Sequence, residues 1–180
     1  MKSQMQFIPW QQISDWRCVS CGNCCKEYSV VIDFQEWLGI VKTYGVEFTA
    51  STLSKFFVKR GKDGSCAFLN NGSRTCSCGL QHMKPRACQL WPFKVCSEPV
   101  YGFQNEALYL YRDKPVFIYA DHNCRGLTFG RPTAEFFNLK LAEFVEIAAG
   151  IRSRQLRTTG SPWPLTFYSG YNLRARNDLF

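Results

Sequence analysis

The first sixteen residues, MKSQMQFIPWQQISDW, lack the uninterrupted apolar stretch that a signal peptide needs. That predicts no export to an oxidising compartment and a cytoplasmic location, where thiols stay reduced. Long hydrophobic runs are missing as well. The richest, residues 144–151, is broken by Glu146 and Gly150 and falls far short of a membrane span, so no membrane partner is expected. Histidine is scarce: His82 and His122 are the only two, each within four residues of a cysteine. Both are expected as hydrogen-bond partners of a thiol site rather than as ligands. There is no internal repeat, no low-complexity tract and no Gly-rich methyl-donor loop at a strand–helix junction. The C-x3-C-x2-C run of a conventional radical enzyme is also missing.

Against those absences stand ten cysteines, four of them within eight residues: Cys18-Val-Ser-Cys21-Gly-Asn-Cys24-Cys25. The thiolate is the common side chain that binds soft metals tightly, and few other demands crowd thiols so closely. The spacing Cys18-x2-Cys21-x2-Cys24 lets three sulfurs converge from one loop, with Gly22 free to take the angles of a sharp reversal. It matches the first three ligands of a bacterial ferredoxin run, but Tyr28 stands where the fourth cysteine would be. A fourth ligand must come from Cys25 or from a distant part of the chain. An even number of cysteines also permits a disulfide framework. The reducing compartment and the strain of pairing adjacent Cys24 and Cys25 weigh against it.

At 180 residues and 46% hydrophobic content, the chain can bury one core, expected as a single domain over residues 1–150. The net charge is +8, and half of it lies in residues 151–180, where Arg152, Arg154, Arg157, Arg174 and Arg176 face Asp178 alone. Such a basic tail offers a surface to nucleic acid or an acidic protein. With no nucleic-acid motif beside it, a solvated surface is the expectation, its Trp163, Phe167, Tyr168 and Tyr171 packing on the domain.

The fold expected is α+β: an irregular cysteine-rich core with short antiparallel strands, flanked by helices over 33–44, 52–60 and 133–149. Asp33 and Glu36 form a capping-box pattern before apolar Trp37, Ile40, Val41 and Tyr44, and Gly45 ends the helix. In the last helix Phe137, Leu141, Phe144 and Ala148 form the apolar stripe, which Phe136 and Val145 widen. Strands are read over 28–32, 66–69, 107–111 and 115–119, with Asn70-Asn71-Gly72 as a turn and Pro85 opening a short helix that carries Cys88.

The series Cys18-x2-Cys21-Gly-x-Cys24-Cys25, Cys66-x-Phe68-Leu69, Cys78-x-Leu80-x4-Pro85-x2-Cys88-x2-Trp91-Pro92-Phe93 and Cys124-Arg-Gly126 resembles the zinc- or iron-chelating CxxCxxCC family of YkgJ-type cysteine-cluster proteins. The resemblance spans roughly residues 18–126. It implies a metal held by Cys18, Cys21, Cys24, Cys25, Cys66, Cys78, Cys88 and Cys124. Where that family usually has Tyr and Arg, this chain has Gln81 and Lys84, which keeps a charge but loses the planar fork. Cys76 and Cys96 fall outside the pattern and are expected to lie apart as free thiols. Flagellin lysine N-methylases look similar in this cluster, which makes an enzyme using an iron–sulfur cluster and S-adenosylmethionine the alternative. A metal-stabilised interaction module is a third.

Eight family-matched thiols are twice what one tetrahedral zinc needs. That number fits two zincs, one cluster with spare thiols, or a polynuclear site in which Cys24 and Cys25 face different metals; sequence neighbours point their side chains different ways, which suits the last. Cys76-x-Cys78 and Cys88 do not make the second CxxC knuckle of a zinc ribbon. The ferredoxin-like triplet favours an iron–sulfur cluster, 4Fe-4S, with zinc as the alternative.

Overall fold

A computed structural model describes residues 6–72 and 75–156 of the chain. The tail expectation, with its four aromatics and Arg157, Arg174 and Arg176, falls from residue 157 onward outside the described residues. Two short strands come first, β1 (Phe7–Pro9) and β2 (Ile13–Trp16), followed by a five-residue helix, α1 (Asn23–Glu27). β3 (Val31–Ile32) leads into α2 (Phe34–Tyr44), and β4 (Thr49–Ser51) and β5 (Phe56–Val58) follow. The hairpin of β6 (Leu69–Asn71) and β7 (Cys76–Cys78) precedes α3 (Arg86–Leu90). Then come β8 (Phe93–Cys96), α4 (Gln104–Ala107), β9 (Leu108–Tyr111), β10 (Lys114–Asp121) and β11 (Leu127–Phe129). α5 (Leu141–Ala148) comes last. Short antiparallel strands beside a few helices make this an α+β fold.

The larger sheet is organised by β10. β8 pairs with it from Phe117↔Cys96 to Ala120↔Phe93, and β1 meets its C-terminal end at Phe7↔Asp121. β9 pairs with its N-terminal half through a turn in which Arg112 and Asp113 both have positive φ, 49° and 63°. That is the twist a tight hairpin demands. β2 and β11 form a separate pair. The core on this side joins Trp10, Ile13 and Trp16 to Phe93, Ile118, Phe136, Leu141 and Phe144.

The last helix begins with a π-helical turn, Phe136–Lys140, before α5 proper. Leu141 N–H donates to Phe136 O, an i→i+5 bond, so one extra residue fits into the turn. The apolar stripe is corrected at one residue: Phe136, expected to widen it, is wholly buried with Leu141 and Phe144, whereas Phe137 is 40% exposed and stacks on Trp10. Lys140 is buried in the same turn, its ammonium donating to Asp15 Oδ1 at 2.7 Å and to Trp16 O at 3.2 Å.

A smaller core gathers Ile32, Ile40, Val58, Phe68 and Leu80. α2 starts where the capping box places it, with Asp33 Oδ1 accepting from Glu36 N–H at 2.9 Å and Glu36 Oε2 accepting from Asp33 N–H at 3.0 Å. The helix expected over 52–60 is instead a strand. Phe56-Phe57-Val58 forms β5, flanked by β3 (Val31↔Phe57) and β4 (Ala50↔Phe57). Aromatic and β-branched residues favour the extended state once partner strands exist; β4 is the neighbouring strand of a hairpin, and β3 comes from farther back in the sequence. The expected strand over 28–32 is confined to Val31–Ile32, and that over 66–69 moves to Leu69–Asn71.

Candidate metal centre

Cys18 and Cys21 leave β2 on a loop that is fastened to the turn carrying Cys124. Arg17 N–H donates to Gly126 O at 3.0 Å. Gly126 passes so close to the Arg17 carbonyl that a Cβ there would have no room, which explains why glycine stands two residues after Cys124. Trp16 Nε1–H donates to Cys124 Sγ at 3.3 Å. Cys18 and Cys124 both pack against the larger core. Burial pushes the Cys124 thiol up, the Trp16 hydrogen bond opposes that, and charge on Cys21 and Cys18 adds to it. These three thiols form one neighbourhood.

A second neighbourhood is built on α1. Gly22, at φ 74°, turns the chain into this helix, whose first residues bring Cys24 and Cys25 together. Their sulfurs stand 3.8 Å apart, so the expectation that they face away from each other is corrected. On a helix, neighbours differ by about 100°, not 180°, and both can reach one side. Cys66 joins them because its N–H donates to Cys25 O at 2.7 Å. The guanidinium of Arg60, which bridges Cys66 through its backbone, donates to Lys26 O and Tyr28 O and so satisfies carbonyls at the end of α1. Cys78 lies across from Leu69 on the β6–β7 hairpin, and both Cys66 and Cys78 pack against the smaller core. Cys88 comes from α3, which packs on β3 and α5.

The charges of these five thiols reach one another. The Cys25 thiol is pushed up first by its hydrogen bond with Cys24, then by burial and by charge on Cys24, Cys66 and Cys78. The same hydrogen bond pulls the Cys24 thiol down, against burial and with help from the Lys84 ammonium. Burial pushes Cys66, Cys78 and Cys88 up; charge on neighbouring thiols adds to it, and Lys84 opposes it at Cys78 and Cys88. Tyr28 links the two neighbourhoods. It follows α1, its ring lies 4.2 Å from Trp91, and its hydroxyl donates to the buried Asp121 Oδ2 at 2.7 Å, three residues before Cys124.

None of the ten cysteines is in a disulfide. Among the described residues, no three His, Cys, Asp or Glu side chains already stand in closed metal-ligand geometry. His82 and His122 are exposed. Cys96 sits on β8 beside Phe117 and Tyr119, away from both groups. Cys76 does not lie apart. Its N–H donates to Ser20 O at 2.8 Å, and its sulfur lies 3.7 Å from Cys21 O. A polar cavity of about 390 Å³ opens beside Lys84, lined also by Gln81, His82, Gln89 and Arg154. Arg60, Trp16 and the Tyr28–Asp121 pair were not singled out from the sequence as parts of a site. Only the adjacency of Trp16 and Tyr28 to the cysteine run hinted at them.

A family model described as "CxxCxxCC: Putative zinc- or iron-chelating domain" matches residues 17–125, from the residue before the first cysteine of the cluster to the one after the last. The chain belongs to the CxxCxxCC family. No curated protein and no solved structure matches it. As a member of a zinc- or iron-chelating family it is a metal-binding protein, and no helix among its described residues is long and apolar enough to cross a membrane.

Proposed function

We propose that this CxxCxxCC protein holds iron as a 4Fe-4S cluster through the five-thiol group, with Cys18, Cys21 and Cys124 as an adjoining set, in the cytoplasm. The observation that carries the reading is the gathering of five thiols, Cys24, Cys25, Cys66, Cys78 and Cys88, in one neighbourhood. The group supplies the four thiolates that a 4Fe-4S cluster takes, one on each iron, whereas the 3.8 Å pair taken alone matches two thiolates on one tetrahedral metal, the spacing of the zinc alternative. The donor set fits a soft metal. Burial and mutual charge oppose ionisation of Cys25, Cys66, Cys78 and Cys88, and a bound cation removes that opposition by offsetting the thiolate charge. A redox-capable thiolate cluster supplies one-electron chemistry, while this chain's part is to crowd, shield and orient the thiolates. One zinc and one 4Fe-4S cluster each take four thiolates, and the lack of paired CxxC knuckles favours the cluster over zinc.

The test is purification without oxygen, followed by iron, zinc and acid-labile sulfide analysis. A brown protein with sulfide in proportion to iron is expected. Colourless protein with stoichiometric zinc would replace the cluster by structural zinc. Protein free of both metals would overturn the reading.

A further inference from the structure

We propose that Cys76, which lies outside the family pattern, is the fourth thiolate of a second metal site formed with Cys18, Cys21 and Cys124. This rests on the metal-binding reading above and adds to it a site completed by a residue outside the family pattern. The two thiol groups are unequal: one has five members, more than a four-coordinate metal takes, and the other has three, one fewer than a closed tetrahedral site needs. Cys76 lies on the side that is short. Its backbone is tied to Ser20, between Cys18 and Cys21, and its sulfur rests against the Cys21 carbonyl.

Gly22 shows how close that approach is. A Cβ at Gly22 would stand 2.9 Å from Cys76 Sγ and 3.1 Å from Cys76 Cβ, so the missing side chain at this position is the space the Cys76 thiol occupies. On β7 the burial alternates, with Cys76 and Cys78 half-buried and Ser77 exposed between them. The two cysteines therefore share one face of the strand, one delivered to each group. The present partners of the Cys76 sulfur are two weak contacts, at 3.7 Å to Cys21 O and 3.6 Å to Asn71 Oδ1. Both are worth little to a thiol and are readily exchanged for a metal. Zinc is the metal such a four-thiolate set takes most simply.

The experiment uses full-length protein stripped of metal without oxygen and reloaded with Zn(II) or Co(II). Iodoacetamide labelling read by mass spectrometry should find Cys76 reactive in the stripped protein and protected after loading, with Cys96 unchanged. Cys76→Ser should weaken the uptake of one metal per chain by at least about tenfold and dim the thiolate-to-cobalt absorption. Cys76→Asp, which still offers a ligand, should recover part of the affinity that Cys76→Ala loses. Equal labelling of Cys76 before and after loading overturns the proposal while leaving the metal-binding reading intact. So does a cobalt spectrum that Cys76→Ser leaves unchanged. A wild-type protein that takes up no metal overturns both.

Discussion

Cys124 hangs from the end of β10, a strand whose last five residues are all buried, whereas Cys24 and Cys25 stand on a five-residue helix with no buried residue. The first support is apolar burial around Trp16, Phe93, Phe136 and Phe144, which exists whether or not a ligand is bound. The second is a set of backbone hydrogen bonds, an arginine clamp and a core of five fully buried residues. A helix of one turn is unstable alone, because nucleation costs more than a single turn returns. The halves therefore divide the work. The sheet side supplies a fixed anchor, and the side built around α1 supplies most of the thiols and depends on what they hold.

Removing the metal should break this comparison most visibly. The binding free energy of thiolate-bound structural metal reaches about 10–16 kcal/mol, as large as the whole stability of a domain. Hydrogen exchange followed by mass spectrometry, with and without a strong chelator, should show residues 20–28, 59–72 and 75–80 losing protection. Residues 93–96 and 116–121 should keep most of theirs. Uniform loss would mean the two halves unfold as one. Unchanged protection would mean the metal has no structural role.

The reciprocal change is Phe144→Ala. Phe144 is wholly buried against Trp16 and Phe93, with ring centroids at 5.4 and 4.5 Å. The cavity should cost about 3–5 kcal/mol and lower the melting temperature. Metal content of the protein that remains folded should not change. If metal is released well below the melting transition, the sheet core is supporting the five-thiol group directly.

Arg60→Ala sharpens the picture at a smaller scale. Its guanidinium donates to Lys26 O and Tyr28 O, and hydrogen bonds from a charged donor to a carbonyl contribute roughly 1.5–3 kcal/mol each when well shielded. The site is partly exposed, so a loss of about 2 kcal/mol is expected overall. It should appear as faster metal loss to chelator, with Arg60→Lys intermediate because an ammonium cannot span two carbonyls as a planar fork does. Metal loss unchanged from wild type would show that α1 needs no clamp.

Local rules made much of this legible. Asp33, Glu36 and Gly45 mark both ends of α2 because capping is decided within a few residues. The cysteine series identified the family for the same reason, since its spacings lie on the surface of the sequence. What escaped was decided at long range. Phe56–Val58 reads as part of a helix until β3, which pairs Val31 with Phe57, claims it. Phe137 is left half out of the core, with Phe136 inside it, where a π turn brings Lys140 to Asp15, 125 residues away. Cys76 looked like a spare thiol because nothing in a spacing says that β7 returns to Ser20.

The smallest effect tests whether the sheet half is independent of the thiols in its response to pH. Burial works to raise the Glu146 carboxyl, but hydrogen bonds from Arg152 and Tyr111 outweigh it and hold the group below its ordinary value. Arg152 Nη2 lies 2.6 Å from Glu146 Oε2, and the Tyr111 hydroxyl donates to Oε1 at 2.9 Å. A carboxyl whose value is lower folded than unfolded binds its proton more weakly in the folded state. Its stabilisation is thus complete above the ordinary carboxylate range, near pH 4.3, and fades as pH falls through the lower folded value. The Arg152 side chain is about a third exposed, so screening limits the pair to about 1 kcal/mol. Glu146→Gln keeps the shape and removes the charge. The stability gap between wild type and this variant, measured by denaturant melts, should be near that size at pH 7 and close as pH falls below about 4. Thiolate protonation is common to both proteins and cancels in the difference. A gap that stays constant across this range would show that the carboxylate charge contributes nothing. A gap that closes near pH 6, where acid begins to release thiolate-bound metal, would tie this helix to the thiol groups instead.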